Sequence, residues 1–276
     1  KDNKLTLMTT DSANYVSVTA DNIACGDFST VVPLDLFSKL IRKITTENIK
    51  ITVKESHIDV KGDGVYSVPI EMDSGSPVKF KGYEWNYNTE GRVIPLSVIK
   101  DILRVNKAAV AKSIETPCLR GYYIGDKVVT TDAEVICIND IPVFKDTAYL
   151  FSPEMLELLS LSNQENITVY YNNGYILCDA GDMVVYGPEL DGKEDYPIDD
   201  ILGYLDVAFP SKCTLPKLQL QNVIDRLSLF IEKYDKNGAY FTFFSNGLRI
   251  TSKRMSSIEI VGYGTSENFA PFACCV

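Results

Sequence analysis

The chain has 276 residues, of which 45% are hydrophobic and 23% charged; at roughly 150 residues per domain, this predicts about two domains of an ordinary globular protein and excludes a disordered chain. Its net charge is −10, which argues against nucleic-acid binding as long as the charge is treated as uniform, because phosphate contacts need Lys and Arg. The single histidine, His57, argues against metal sites and His-based catalysis, so no cofactor, metal or catalytic residue is predicted.

Four helices are predicted, each from apolar residues at helical spacing. The first begins at Pro33, since proline suits the first turn of a helix. Between the helices lie short alternating strands, and a hairpin is predicted at Glu55 and Ser56. The order of elements favours an α+β fold in which antiparallel sheet carries one short helix per unit. The helices are predicted at residues 33–44, 96–110, 153–161 and 218–231, and further turns at Asn172-Asn173-Gly174, Asp191-Gly192 and Asn237-Gly238.

The sequence repeats itself at a spacing of roughly 120 residues, which indicates tandem units. A strand that ends in Thr10-Asp11 has a counterpart that ends in Thr131-Asp132, with a looser third copy at 246–252. The helix starts at Pro33 and Pro153 follow the same spacing. Both chain ends fall within strand-like sequence, so the first and last domains are expected to be incomplete. Three tandem domains are therefore predicted, at residues 1–91, 92–202 and 203–276.

The cysteines and the hydropathy of the chain indicate the cellular compartment of the protein. The seven cysteines are an odd number without a C-x-x-C pair, a pattern interpreted as free thiols in a reducing cytoplasm. No apolar run approaches the ~18 residues that a membrane span needs, and no signal peptide is visible. A cytoplasmic protein without a membrane partner is predicted.

The helices do not share the acidity of the whole chain. Counted with their flanking residues, three of the four predicted helices carry more Lys and Arg than Asp and Glu, whereas the third carries only Glu154 and Glu157. On the second helix, Lys100, Arg104 and Lys107 follow i, i+4, i+7 spacing and share one face. Such a face can be merely solvated, or it can line a channel for a polyanion while an acidic exterior opposes non-specific association.

Three short segments resemble the bacterial-type DNA sliding clamp, the beta subunit of DNA polymerase III. They are Thr116-Pro117-Cys118-Leu119-Arg120-Gly121, the strand into Val129-Thr130-Thr131-Asp132-Ala133, and Tyr196-Pro197. Ala133 stands where the family usually has Gly, and Glu134-Val135 replace its usual His-Arg. The order and spacing of these segments extend the resemblance over essentially the whole chain.

The resemblance implies a non-catalytic protein whose domains form a head-to-tail homodimer ring if full length, with antiparallel sheets outside and short helices inside. Its implied partners are double-stranded DNA without sequence preference, and a DNA polymerase and clamp loader that bind through short peptides. The residues implied to face DNA are Lys39, Arg42, Lys43, Lys100, Arg104, Lys107, Lys112 and Arg226. Those matching the partner-peptide cleft are Leu119, Ala133, Ile136, Pro197, Ile201 and Leu202. Those matching the dimer interface are Tyr66, Val68, Leu229 and Phe230, although Tyr66 and Val68 could equally line their own core.

Two other interpretations compete with the sliding clamp. A clamp-like β-rich module could bind protein partners without encircling DNA, and the two differ in whether the helix cations converge on one concave surface. An enzyme would need a nucleophile and base, but Asp11 and Asp132 occupy equivalent turns and are typical of turn chemistry. The acidic group Asp195, Asp199 and Asp200 is interpreted as a solvated linker, since a Ca²⁺ site would need tighter alternation and a Gly.

Overall fold

The computed structural model describes residues 4–21, 26–85, 89–113, 115–208, 213–230, 238–252, 257–262, 264–265 and 269–275. The chain forms two compact units, Lys1–Ile198 and Asp199–Val276.

The first unit contains three helices and fifteen strands among its described residues. Its helices are α1 (Leu34–Ile41), α2 (Leu96–Asn106) and α3 (Pro153–Leu159). Its strands are β1 (Leu5–Thr10), β2 (Tyr15–Ala20), β3 (Lys50–Val53), β4 (His57–Lys61), β5 (Val65–Pro69), β6 (Met72–Asp73), β7 (Ser76–Pro77), β8 (Arg92–Pro95), β9 (Tyr122–Ile124), β10 (Val128–Thr131), β11 (Ile136–Asn139), β12 (Tyr149–Phe151), β13 (Asn166–Asn172), β14 (Tyr175–Asp179) and β15 (Met183–Pro188).

A short helix, α4, spans the boundary between the units, and one longer helix and six strands follow among the described residues. They are α4 (Ile198–Gly203), β16 (Cys213–Thr214), α5 (Lys217–Ser228), β17 (Ala239–Phe244), β18 (Gly247–Ser252), β19 (Ile258–Gly262), β20 (Gly264–Thr265) and β21 (Phe272–Cys275). All four predicted helices are present, with ends that differ by a few residues; residue 231, the predicted end of the last, and Asn237 of a predicted turn lie outside the described residues. Asp199 and Asp200, which were predicted to lie in a solvated linker, are exposed at the boundary between the units. They lie in the first turn of α4, a helix that was not predicted, where acidic side chains complement the helix dipole.

A six-stranded antiparallel sheet in the order β1-β2-β15-β14-β13-β8 dominates the first unit. It joins the two strands nearest the N-terminus to strands more than 70 residues further on, through the pairing of β2 with β15. A second sheet has the order β11-β10-β9-β12. Since side chains alternate across a strand, Ile176 and Val185 face a core that they share with Ile102 of α2 and Leu156 of α3.

The C-terminal end of α2 is tied to the second sheet by a buried amide. The Asn106 side chain donates to the Cys137 carbonyl (3.2 Å), and the Thr130 hydroxyl donates to the Asn106 carbonyl (2.9 Å). The amide nitrogen is thus held by its acceptors, whereas the buried amide oxygen Oδ1 has no hydrogen-bond partner among the described residues. The helix end therefore has a fixed position over β10 and β11.

A smaller layer consists of α1 on the three-stranded sheet β3-β4-β5. Its buried residues are Ile58, Val60, Val68 and Ile70, and none of the α1 side chains is fully buried. Phe37, Leu40 and Ile41 pack on this cluster from the helix. In the second unit, α5 instead packs Val223 and Leu227 against Leu248, Ile250 and Val261 of β18 and β19.

The predicted internal repeat is visible as one turn built twice. In the turn between β1 and β2, Asp11 Oδ1 accepts from the backbone N–H groups of Ala13 (2.9 Å) and Asn14 (2.6 Å). In the turn between β10 and β11, Asp132 Oδ1 accepts from Glu134 (3.0 Å) and Val135 (2.7 Å). Each Asp is followed by a residue in the left-handed region, Ser12 at φ 79° and Ala133 at φ 74°. The two aspartates therefore shape turns, as predicted.

Within the described residues, no helix is long and apolar enough to cross a membrane. In the same ranges, no group of three or more His, Cys, Asp and Glu residues could hold a metal ion. Five cysteines within these ranges are free thiols, namely Cys118, Cys137, Cys178, Cys213 and Cys274.

Candidate functional site

The cations predicted on the first helix are all exposed. Lys39 lies within α1 and forms an ion pair with Asp35 at 2.5 Å. Arg42 and Lys43 follow the helix directly and are exposed to solvent. Within the part of the chain that the structure describes, neither Arg42 nor Lys43 has a carboxylate within ion-pair distance, so both charges are available to a ligand.

The second helix places its cations on the side opposite its buried residues. Leu96, Ile99 and Ile102 face the core, whereas Lys100 and Arg104 are exposed. This is the common face that the spacing predicted. Lys107, in the short 3₁₀ turn Lys107–Ala109 that extends α2, and Lys112 are exposed as well.

Acidic side chains divide this second group of cations into free and paired members. Asp101 holds Arg104 at 2.9 Å from the preceding turn. Glu157 of α3 holds Lys107 at 2.6 Å, so the acidic third helix partly neutralises the basic second helix. Lys100 has no such partner among the described residues. The spacing of cations predicted the exposed face, but the pair between Lys107 and Glu157 depends on helix packing and was missed.

Arg226 differs from the other predicted DNA contacts because its guanidinium binds both oxygens of one carboxylate. It lies near the end of α5 and binds Glu259 of β19 through Nε at 2.8 Å and an Nη atom at 2.5 Å. The hydrogen bonds from Arg226 lower the pKa of the Glu259 carboxyl, as expected for a charge-assisted bidentate pair. Phosphate binding by Arg226 would have to compete with this carboxylate.

The residues predicted for the peptide cleft that lie in the first unit gather at one end of the second sheet. The Tyr196 hydroxyl donates to the Val129 carbonyl at 3.1 Å, which fixes the segment that leads into Pro197. Ile136 pairs with Thr131 across β10 and β11. Burial, with a smaller contribution from nearby Cys118, raises the pKa of Tyr196, so its hydroxyl is a permanent donor.

Exposure corrects part of the cleft prediction. Leu119 is only 7% exposed and Ile201 of α4 only 3%, so their side chains belong to the interior and present little surface to a peptide. Ala133 and Ile136 are exposed, and the neighbouring Val135, which the sequence analysis did not select, is exposed as well. Pro197 and Leu202 are partly exposed. Val135 in the turn before β11 and Ile136 at the start of β11, an edge strand of the second sheet, therefore present exposed apolar side chains at an open sheet edge.

Of the residues predicted for the dimer interface, one is buried and the other three are exposed. Tyr66 is exposed on β5, the edge strand of its sheet. Val68 is 1% exposed and packs with Ile58 and Val60. Its side chain therefore lines the core of its own layer, which was the alternative interpretation, and does not face a partner subunit. In the second unit, Leu229 and Phe230 directly follow α5, and Leu229 is 81% exposed.

The structure also assembles a Ser-His-Asp line that the sequence analysis did not find. Ser56 Oγ lies 3.2 Å from His57 Nδ1, and His57 Nε2 lies 3.4 Å from Asp59 Oδ1. Residues 57 and 59 share a face because strand side chains have a period of two. The Ser67 hydroxyl already donates to the same Asp59 oxygen at 2.8 Å. This line lies on the open surface of β4, where water screens the charges that acyl transfer would have to stabilise.

Helices pack against antiparallel sheets in repeated units of the described chain. No protein-family model matches the sequence, and no curated protein matches it. Solved structures do match, and the three described next each cover 99% of this chain.

The DNA polymerase III beta subunit of Thermotoga maritima matches with a TM-score of 0.82, 16% sequence identity and 76% of its own length covered. A putative DNA polymerase III beta subunit from Eubacterium rectale ATCC 33656 gives the same three values. The DNA polymerase sliding clamp of Bacillus subtilis matches with a TM-score of 0.78, 17% identity and 77% of its length covered. The chain therefore has the fold of the DNA sliding clamps, which confirms the predicted fold class. It spans about three quarters of the length of these structures.

Proposed function

We propose that the chain acts as a DNA sliding clamp, a non-catalytic protein that encircles duplex DNA and tethers a replicative polymerase. The observation that carries the proposal is the match of 99% of the chain to solved sliding clamps at TM-scores near 0.8. Free thiols such as Cys118 and Cys178 agree with a cytoplasmic location, where cysteines stay reduced.

The exposed cations of α1 and α2 are the proposed DNA-facing residues of the first unit. Arg42, Lys43, Lys100 and Lys112 would contact phosphates directly, since no carboxylate among the described residues competes for them. Phosphate contacts carry no sequence information, which suits a protein that must move along any sequence. The ion pairs of Lys39, Arg104 and Lys107 and the net charge of −10 would keep affinity low, so that residence on DNA depends on encirclement.

The edge strand β11 is the proposed docking site for a polymerase or clamp-loader peptide. Val135 and Ile136 are exposed apolar side chains, and Ala133 lies in the turn just before them. Pro197 follows Tyr196, whose hydroxyl is bound to Val129 of the neighbouring strand β10. Leu119 would support this surface from below. A short peptide with apolar and aromatic anchors fits such a surface, because a few buried anchors supply most of the affinity of a small interface.

The open edge of β5 is one half of the proposed subunit interface. Tyr66 would meet Leu229 and Phe230 of a second copy, which directly follow α5. Head-to-tail contacts of this kind use two different surfaces of the same chain and close into a ring only at a suitable angle. A homodimer is the proposed assembly.

A charge-reversal variant tests the DNA surface. Lys100, Arg104 and Lys107 are replaced together by Glu, and affinity for a random duplex of about 30 base pairs is measured by fluorescence anisotropy at several salt concentrations. We expect the affinity to fall at least about tenfold at low salt, because the phosphate contacts and their counterion release are lost. The control replaces three exposed sheet lysines, Lys50, Lys54 and Lys61, by Glu. Equal losses in the two variants, or none in either, would remove α2 from the DNA path.

A second candidate, a peptide-binding module that does not encircle DNA, is favoured by the carboxylates that already hold Arg104, Lys107 and Arg226. The same experiment separates the two. A module of this kind would bind the polymerase-derived peptide but show no DNA affinity that the charge reversal can remove.

A further inference from the structure

A pocket of about 230 Å³ lies on the face of the six-stranded sheet that points away from α2 and α3. Alternation along β14 and β15 explains this placement, because Ile176 and Val185 face the helices while Tyr175 and Tyr186 face the other side. None of the proposed DNA, peptide or subunit contacts lies in this pocket. We call it the tyrosine pocket, and its lining residues are Ser12, Ala13, Tyr15, Tyr83, Tyr175, Tyr186 and Pro188.

Three separate chain segments hold the walls of the tyrosine pocket in place. Ser12 and Ala13 come from the turn that Asp11 fixes with its hydrogen bonds. Tyr175 follows the tight turn between β13 and β14, where Gly174 has φ 80°. Tyr83 comes from the segment that precedes β8. Because two of these three segments are tight turns, part of the wall is held in place before a ligand binds, which lowers the entropic cost of binding.

Tyr186 is the centre of the pocket, and other aromatic rings surround it. The Tyr83 ring stacks on it at 4.8 Å between centroids with 27° between planes, and the Tyr175 ring at 5.4 Å with 11°. Tyr15 lies 5.9 Å away at a tilted angle. The result is a row of three nearly parallel rings with a tilted fourth beside it.

The polar chemistry of the pocket selects an uncharged ligand with hydrogen-bond acceptors. No lining residue carries a formal charge at neutral pH. Burial, with smaller contributions from Tyr175 and Tyr15, raises the pKa of Tyr186, so its hydroxyl keeps its proton. Within the described residues, no hydrogen bond from protein occupies the hydroxyls of Tyr15, Tyr83, Tyr175 and Tyr186, and all four can donate to a ligand carbonyl. Phosphate would find no cation here, which disfavours nucleic acid.

We propose that the tyrosine pocket binds a proline-rich segment of a partner protein. A polyproline II helix presents flat pyrrolidine rings that pack on aromatic faces, and its carbonyl oxygens have no internal hydrogen bonds and accept from hydroxyl donors. Aromatic-lined grooves bind such segments in other recognition domains for the same two reasons. The proposal does not depend on the proposed DNA function.

The only tryptophan of the chain provides the measurement. Trp85 lies in edge-to-face contact with Tyr186 at 5.7 Å, so a ligand that packs on this group of rings changes the surroundings of the indole. A blocked oligoproline peptide of about ten residues, long enough for stable polyproline II structure, is titrated into the protein while Trp85 emission is recorded. We expect a saturable change in emission, and no change with a Gly/Ser peptide of equal length.

Matched variants identify the pocket as the source of the signal. Tyr175, which is 43% exposed, is replaced by Ala and by Phe; we expect about a tenfold loss of affinity for Tyr175→Ala and a smaller loss for Tyr175→Phe, which keeps the ring but not the hydroxyl. Tyr204→Ala removes a more exposed tyrosine outside the pocket and should change nothing. The proposal is overturned by an absent or non-saturable signal, by equal binding of the Gly/Ser peptide, by unchanged affinity in both Tyr175 variants, or by a single-stranded oligonucleotide that displaces the oligoproline.

Discussion

The α1 layer and the α2–α3 layer of the first unit follow the same plan of helix on antiparallel sheet but differ in depth. The α1 layer (α1 with β3, β4 and β5) buries no helix residue completely. The α2–α3 layer (α2 and α3 with the six-stranded and second sheets) buries side chains of both helices, including Ile102 and Leu156 at 0% exposure. Both layers nevertheless present exposed cations on their helices. The proposed DNA surface therefore does not require a deep core beneath it, and stability and binding can be tested separately.

The largest difference between the layers is expected in stability. Ile102→Ala removes a fully buried side chain of α2 and should lower the free energy of unfolding by about 3 kcal/mol, through lost burial and the cavity left behind. Ile41→Ala, in the partly buried α1, should cost about 1 kcal/mol, because less apolar area is lost. Urea denaturation measures both, and equal losses would contradict the difference in depth.

The next comparison concerns the ion pairs on the two helix surfaces. Glu157→Gln frees Lys107 in the α2–α3 layer, and Asp35→Asn frees Lys39 in the α1 layer. We expect each variant to strengthen duplex binding about fivefold and to steepen the salt dependence by about one phosphate contact. Exposed pairs contribute little stability, so both variants should fold.

Asp140→Asn is the matched control for these two variants. It breaks the ion pair between Lys127 and Asp140, which has a similar N–O distance of 2.7 Å but lies beside the second sheet and not on a helix. A gain in only one of the two helix variants would assign DNA contact to that layer alone. A gain in the control as large as in both helix variants would show that net charge, rather than a helix surface, sets the affinity.

Each layer also ends in an open strand edge, and we expect the two edges to serve different partners. Tyr66→Asp on β5 should convert the dimer to a monomer, seen as half the mass by light scattering, while leaving peptide affinity unchanged. Ile136→Asp on β11 should weaken binding of a polymerase-derived peptide at least about tenfold, as for a hot-spot residue, without changing the mass. Each variant is the control for the other. An effect of either on both properties would contradict separate edges.

The smallest expected effects lie in the repeated turn. Ser12→Gly and Ala133→Gly replace non-glycine residues at φ 79° and 74° and should each raise the free energy of unfolding by up to about 1 kcal/mol, since glycine adopts this region without steric cost. Ala13→Gly, at a neighbouring position without positive φ, should instead lower stability slightly. Thermal unfolding of the three variants tests whether both copies of the turn carry the same strain.

Local signals were sufficient to predict much of this fold. Prolines at 33 and 153 mark the starts of α1 and α3 in both the sequence and the structure, and the repeated Thr-Asp pairs mark two equivalent turns. The short helix α4 was missed because its six residues include Asp199 and Asp200, whose charge is equally typical of a linker. A helix this short carries too few apolar positions for periodicity to identify it.

The candidate site was less predictable, because burial and pairing depend on distant parts of the chain. Helical spacing alone predicted the exposed face of Lys100 and Arg104. The partner of Lys107 lies 50 residues away, and no local pattern identifies it. Val68 resembles an edge-strand residue in sequence, but α1 covers it. The tyrosine pocket likewise joins Tyr15, Tyr83 and Tyr186, which only the sheet order brings together.

Encirclement is tested most directly by comparing retention on circular and linear DNA. The protein is incubated at high concentration with a nicked circular plasmid, long enough for rings to open and close, and the mixture is passed through a gel-filtration column at about 0.15 M salt, where weak phosphate contacts alone do not hold a protein. Half of the sample is first cut once with a restriction enzyme. The sliding-clamp proposal predicts co-elution with the circle and at least about a tenfold loss after linearisation. Equal retention on both forms, or no retention on either, would contradict it.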